Sequence, residues 1–277
     1  MGQGWISAIR PPRGALIEEF GAARESKEEP EMNDQVAVVT GGGGGLGLAV
    51  CRSLAQTGIT VVCLDIGNAA ERAAKALGEE GLAIEHQQCD VTNSAATIEL
   101  SDNILAHHGQ IDILINLAGV ARNAKLVDVT DEDFDLTLSS NVRGTMNMMR
   151  TFAPHMKERG YGRIINTSSV AALGSIAGTS YTAAKGAIEA MTRTAAMELA
   201  RYGITVNCVA PGIINTGMFQ KQPERARNHM LDRTPMRRSG EPMEIAAGYR
   251  FLSSPDASYV TGQTLYVCGG VSVGDFR

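Results

Sequence analysis

At 277 residues with a formal net charge of −5 and 44% apolar residues, the chain has the composition of one large globular core, with no basic footprint for nucleic acid. No window approaches the roughly 18 uninterrupted apolar residues of a membrane span. The five cysteines (Cys51, Cys63, Cys89, Cys208 and Cys268) lack any C-x-x-C pairing, and of the five histidines only His107 and His108 are adjacent. A disulfide framework and a metal site are therefore not expected, and a reducing, cytoplasmic setting is.

Residues 1–31 differ from everything after them: an isolated Trp5, Pro11-Pro12 and an acidic run ending in Pro30-Glu31. They read as a disordered extension, with a short helix over 15–24 as the alternative, and the folded domain is expected over 32–277. Residues 36–39 (Val-Ala-Val-Val) have the length and β-branching of a buried strand. They run into Thr40 and five consecutive glycines, then Leu46-Gly47, then a helical pattern over 48–55. Strand, glycine turn, helix is the grammar of a phosphate cradle: glycines permit close backbone approach, and the helix start offers free N–H groups to a pyrophosphate.

Gly58 closes that helix, and a second strand is expected over 59–65, ending in Asp65. Asn68 is expected to cap a helix through Glu80. A strand over 83–88 leads to Asp90 and Val91, then a helix over 94–108 and a fourth strand over 111–116 ending in Asn116. One long helical region is predicted over 131–159, kinked near Pro154. A fifth strand over 163–168, a strong helix over 180–201 and a sixth strand over 204–210 follow, broken by Pro211-Gly212. Residues 215–240 are polar and Arg-rich without strand periodicity; a helix over 241–252 and a last strand over 264–267 complete the chain. Alternating strands and helices predict a doubly wound, Rossmann-type parallel sheet of about seven strands with helices on both faces, in a single α/β domain. The glycine turn, Asp65, Asp90, Asn116, Ser169 and Pro211-Gly212 all fall at strand carboxyl ends, the rim where such sheets bind ligands.

Two features on that rim carry chemistry. Asp65 can accept hydrogen bonds from an adenosine ribose and repel a 2′-phosphate, and with Ile66 next and no Arg or Lys in the glycine turn, NAD is expected over NADP. Tyr181 and Lys185 stand at i and i+4 of one helix and share a face. The ammonium is expected to lower the phenol pKa from roughly 10, making Tyr181 an acid or base.

Together these motifs resemble the short-chain dehydrogenase/reductase family over about 34–273. The matching pieces are Thr40, Gly41, Gly45 and Gly47; Asp65; Asp90-Val91; Asn141-Val142-Arg143-Gly144; a serine before Tyr181 and Lys185; Pro211-Gly212; and the closing run 261–270. The resemblance implies that Tyr181 exchanges a proton with the substrate oxygen, that Lys185 lowers its pKa and bonds the nicotinamide ribose, that a serine orients the substrate oxygen, and that Asn141 holds a relay water. It implies cofactor contacts from Gly41, Gly45, Leu46, Gly47, Asp65, Ile66, Asp90, Val91, Asn116, Ala118, Gly119, Tyr181, Lys185, Pro211, Gly212, Ile214 and Thr216. Read without the family, Asn141 is a helix cap or turn residue. The serine is Ser169 when aligned from the preceding strand, and Ser168 when the usual spacing is counted back from Tyr181; Ser169 is preferred because loops absorb deletions more readily than strand ends.

The family's Asn-Asn-Ala-Gly is Asn116-Leu117-Ala118-Gly119 here, so an amide that ties strands together is replaced. The expected function is NAD(H)-dependent interconversion of a small secondary alcohol and a ketone. An NADPH-dependent 3-oxoacyl-carrier-protein reductase is the alternative, since the tail 266–270 resembles that branch and Arg225, Arg227, Arg233, Arg237 and Arg238 could meet an acidic partner. A non-catalytic nucleotide-binding regulator is a third reading. Residues 215–240 are expected to form a lid, lined by Met218, Phe219, Met230 and Met236, and the resemblance implies a homotetramer.

Overall fold

The computed structural model describes residues 31–274. The expected disordered extension lies outside the described residues except for its last position. Seven strands form one parallel sheet: β1 (Val36–Thr40), β2 (Thr60–Asp65), β3 (Ile84–Gln88), β4 (Ile113–Asn116), β5 (Gly162–Thr167), β6 (Ile204–Pro211) and β7 (Thr264–Val267). Their order is β3-β2-β1-β4-β5-β6-β7. The chain winds outward from β1 to β3, then returns through a helix to lay β4 on the other side of β1. The direction of winding thus reverses between β1 and β4, and the carboxyl ends of those two strands open the crevice that such a switch point creates.

Alternation along β1 sorts its side chains to the two faces, Ala37 and Val39 to one and Val36 and Val38 to the other. Helices α1 (Gly45–Ala55), α2 (Ala69–Gly78) and α9 (Pro242–Ser253) cover the first face, with Leu54, Leu77, Tyr249 and Leu252 fully buried on it. Helices α3 (Ser94–His108), α5 (Gly144–Arg159) and α6 (Thr179–Leu199) cover the second through Ile104, Met148, Phe152 and Met156. This is the doubly wound architecture expected from the alternating pattern. Cys51, Cys63, Cys89 and Cys208 are buried among the apolar side chains, and none of the five cysteines is disulfide-bonded.

Two local expectations are corrected. The helical region 131–159 is two helices, α4 (Asp131–Leu138) and α5, joined by a π-helical turn over Ser139–Arg143, so the irregularity falls at Asn141 and not at Pro154, which lies inside α5. Asn68 stands at the start of α2 without capping it, because its side-chain oxygen accepts from Arg72 Nη1 at 2.8 Å. The segment 215–240 contains two short helices, α7 (Gly217–Gln220) and α8 (Glu224–Asp232). No helix among the described residues is long and apolar enough to cross a membrane.

Candidate active site

The glycine turn is shaped by contacts that no side chain would permit. Gly41 has φ +68°, and a Cβ there would lie 2.9 Å from the Ala118 backbone on the far side of the crevice. A Cβ on Gly47 would come within 2.1 Å of Gly41 O. The turn is closed by Gly44 N–H to Gly41 O and tied to β2 by Gly42 N–H to Leu64 O at 2.9 Å. The Thr40 hydroxyl accepts from the N–H groups of Leu117 and Ala118, both at 3.0 Å, which clamps the end of β1 to the segment following β4. Asn116 Nδ2 donates to Asn166 Oδ1 at 2.9 Å and Asn166 Nδ2 to Thr192 Oγ1 at 2.9 Å, joining β4, β5 and α6.

Helix α1 begins with Gly45, Leu46 and Gly47 and has no acidic side chain in its own first turn to satisfy its free N–H groups. Asp65 accepts from Gly43 N–H at 3.0 Å and from Ile66 N–H at 2.8 Å. The carboxylate thus fixes the turn while keeping lone pairs for a further donor, a double task the sequence did not disclose. Asp90 is folded into a local turn, accepting from the N–H and hydroxyl of Thr92. Asn147 of α5 donates to the carbonyls of Val91 and Thr92 at 2.9 and 3.2 Å and pins that loop. Sequence reading missed Asn147; a polar amide on the buried face of an otherwise apolar helix was its only signal.

Across the crevice, the Ser169 hydroxyl accepts from Ala171 N–H at 3.1 Å and stands close enough to the Tyr181 phenol to lower its pKa. Ser168 points elsewhere: it is buried and donates to Glu189 Oε1 at 2.8 Å. Lys185, only 4% exposed, donates to Thr167 O at 2.8 Å, and its ammonium lies 5.4 Å from the centre of the Tyr181 ring. Burial pushes its pKa down to about 8. The expectation that Lys185 lowers the Tyr181 pKa is corrected. Burial raises the phenol above its ordinary value, opposed by the nearby Ser169 hydroxyl, while the ammonium is engaged at the end of β5.

Asn141 is fully buried in the π turn, where its Nδ2 donates to Val120 O at 2.7 Å and Thr137 O at 2.9 Å. Its Oδ1 has no partner among the described residues and lies against Gly119, where a Cβ would come within 2.2 Å of it. A π turn inside a helix is uncommon and is found disproportionately at functional sites. Asn141 is therefore neither cap nor ordinary turn residue.

Beyond Pro211, a Cβ on Gly212 would strike the Cys268 backbone at 2.7 Å, so β6 leaves the sheet in contact with the end of β7. Ile214 bridges to Gly240, and hydrogen bonds Asn215 N–H to Gly240 O and Gly240 N–H to Ile213 O close the base of the 215–240 segment. Thr216 is carried over the glycine turn: a Cβ on Gly45 would lie 3.4 Å from its methyl. Several arginines of this segment are engaged locally. Arg238 forms a two-point pair with Glu244 at 2.6 and 2.7 Å, Arg237 pairs with Asp232 at 3.2 Å, and Arg227 donates to Gln220 O. The glycine turn, Asp65, Asn116, Ser169, Tyr181, Lys185 and Pro211-Gly212 share one rim, and Gly119, Asn141 and Thr216 join them there.

Comparison with known proteins agrees with this geometry. Residues 42–272 match the model of a family described as enoyl-(acyl carrier protein) reductase. The chain is 39% identical over 245 residues to the BbsD subunit of (2S)-((R)-hydroxy(phenyl)methyl)succinyl-CoA dehydrogenase from Thauera aromatica, covering 87% of this chain and 98% of the relative. It is 37% identical over 245 residues to the 3-oxoacyl-(acyl-carrier-protein) reductase FabG of Thermotoga maritima, covering 87% and 99%. Among solved structures, an NAD+-bound xylitol dehydrogenase superposes with a TM-score of 0.84 at 34% identity, covering 87% of this chain and all of that one. The chain belongs to the short-chain dehydrogenase/reductase family, oxidoreductases that bind a nicotinamide cofactor.

Proposed function

We propose that this chain interconverts a secondary alcohol and a ketone with NAD(H), using Tyr181, Lys185, Ser169 and Asn141. The observation that carries the proposal is Tyr181 standing beside Ser169, with the Lys185 ammonium 5.4 Å from its ring, on the same rim as the glycine turn. A dinucleotide fits the residues present. Glycine at 41 and 47 lets the turn pack where any Cβ would strike the backbone of Ala118 or Gly41, and the first turn of α1, which carries no acid, presents N–H groups to a pyrophosphate. Asp65, Ile66, Asp90 and Val91 would hold the adenosine end; Asn116, Ala118, Gly119, Pro211, Gly212, Ile214 and Thr216 would hold the nicotinamide end.

The nicotinamide, when bound, supplies hydride transfer to or from the substrate carbon. The chain supplies the proton. Tyr181, with its pKa raised by burial, is a neutral phenol at pH 7 and can donate to a developing alkoxide. Ser169 reaches the same oxygen from the side and fixes its position. Lys185 spends one of its three donors on Thr167 O and keeps two for the ribose beside Tyr181. Asn141, fixed by two carbonyls, leaves Oδ1 as the acceptor for a relay water that returns the proton to Tyr181. The 215–240 segment serves as the lid that excludes bulk water.

Asp65 supports NAD over NADP: its carboxylate has no basic residue beside it in the turn, and a 2′-phosphate would meet negative charge. A panel of secondary alcohols and ketones with both cofactors tests the reading. Turnover is expected with NAD or NADH, and a clear kcat/KM preference for the phosphorylated form would overturn the cofactor assignment. The second reading, an NADPH-dependent 3-oxoacyl-carrier-protein reductase, draws support from the FabG relative. The paired Arg237 and Arg238 weaken it, because they offer less free positive charge to an acidic carrier. Activity on an acyl thioester with NADPH but not NADH would favour it.

A further inference from the structure

Helix α3 ends where the chain turns into β4, so its last turn lies at the amino ends of the strands, at the opposite end of the sheet from Tyr181. His107 and His108 are its last two residues, and Gly109, in the left-handed region, stops the helix. Consecutive helical side chains ordinarily diverge and do not face one partner. Here both imidazoles reach the same carboxylate. His108 Nε2 lies 3.2 Å from Glu85 Oε2, and His107 Nε2 lies 3.8 Å from Glu85 Oε1. The two rings meet edge to face at 4.6 Å between centres, and the three ligand atoms all lie within 4.8 Å of one another. Glu85 belongs to β3, the outermost strand, whose one sheet neighbour among the described residues is β2; His86 beside it projects to the opposite face. Nothing in the sequence linked Glu85 to a histidine pair at the far end of the next helix.

We propose that Glu85, His107 and His108 bind one divalent transition cation, with Zn2+ the best chemical match. Zinc takes imidazole nitrogen and carboxylate oxygen at about 2.0–2.2 Å in tetrahedral sites, so its ligand atoms stand roughly 3.3 Å apart. The His108–Glu85 separation already has that length, and the His107 side chain, 71% exposed, has the freedom to close the longer one. His108, 13% exposed, is the fixed anchor. The unpaired carbonyls at the end of α3 form the negative pole of the helix and favour a cation there. Three protein ligands leave a fourth position for water on the exposed side. Two imidazoles and a carboxylate do not suit Mg2+ or Ca2+, which prefer all-oxygen sets.

The site stands a helix length from the Asp90–Val91 loop, about 22 Å for fifteen residues. It has no part in proton transfer. It clips the edge strand to the end of the helix that follows it, and so closes the β3–α3 unit at the end away from that loop.

The test uses the full chain, ZnCl2 alone in calorimetric titration, and CoCl2 as a spectroscopic probe. Expected are one Zn2+ per chain with a Kd below about 100 μM, visible d–d bands of Co2+ in a low-coordinate nitrogen and oxygen site, and a Tm that rises with Zn2+. His108→Gln and Glu85→Gln should each weaken binding about tenfold or more and abolish both the Co2+ bands and the Tm response. His107→Gln, at an exposed position where folding is not at risk, should do the same. His155→Gln is the control and should change nothing. Absence of binding, or Zn2+ affinity and Co2+ spectra unchanged in His107→Gln, would overturn the proposal.

Discussion

Replacing Lys185 with methionine separates what the ammonium costs the fold from what it gives the site. Burial lowers its pKa from 10.5 to about 8. At about 1.4 kcal/mol per pH unit, that displacement corresponds to about 3 kcal/mol of destabilisation held in the native state at neutral pH. The sign follows from proton uptake. Between about pH 8 and pH 10.5 the unfolded chain holds the proton and the native chain does not, so native stability rises with pH across that window. Below it the penalty is complete; above it the penalty is gone. The thioether of the variant carries no charge, so its stability lacks this term at every pH. Loss of the bond to Thr167 O, worth about 1 kcal/mol net, and any packing change are independent of pH and cancel in the comparison. Urea unfolding of both proteins at pH 7 and pH 10, at one protein concentration and without nucleotide, reads the difference. The wild type should gain about 2–3 kcal/mol on the variant between the two pH values. An unchanged stability difference would refute a buried, destabilising Lys185.

Other perturbations reach other parts of the account. The kcat/KM for ketone reduction should be flat from about pH 6 to pH 7 and fall above about pH 8 as Lys185 loses its proton, since Tyr181 stays a phenol throughout; a profile still flat near pH 10 would count against it. Asp65→Asn keeps an acceptor for Gly43 N–H and removes the charge, so NADP use should rise and the KM for NAD increase about tenfold; an unchanged cofactor ratio contradicts the role given to that charge. Gly47→Ala forces a Cβ to within 2.1 Å of Gly41 O and should abolish nucleotide binding at a stability cost of about 1–3 kcal/mol. Its control is Gly78→Ala at the end of α2, where a Cβ meets nothing, which should bind nucleotide normally.

What the sequence disclosed was local. The β-branched run before Thr40, the glycines after it and the i, i+4 spacing of Tyr181 and Lys185 each have one consistent local reading, and the strand carboxyl ends follow once the parallel sheet is inferred. What it withheld depends on side-chain direction and on partners far along the chain. Spacing could not say that Ser168 turns to Glu189 while the Ser169 hydroxyl is left to lower the Tyr181 pKa. It could not show that the Asp65 carboxylate holds Gly43, or that Asn147 pins the loop after Asp90. The π turn at Asn141 was not legible because residues 131–159 suit a continuous helix and Pro154 is the one residue there with a known helix-breaking tendency. The sense of the Tyr181 shift was misread for a related reason: an i+4 lysine shares the helix face, but Thr167 O fixes where its ammonium points.

The central claim is that Tyr181 passes the proton that accompanies hydride transfer. Its most direct measurement is single-turnover reduction of a ketone by Tyr181→Phe, alongside a fluorescence titration of NADH binding. Near wild-type NADH affinity is expected, with the chemical step slowed about 100-fold or more. A chemical step that proceeds at the wild-type rate, with binding intact, would contradict it.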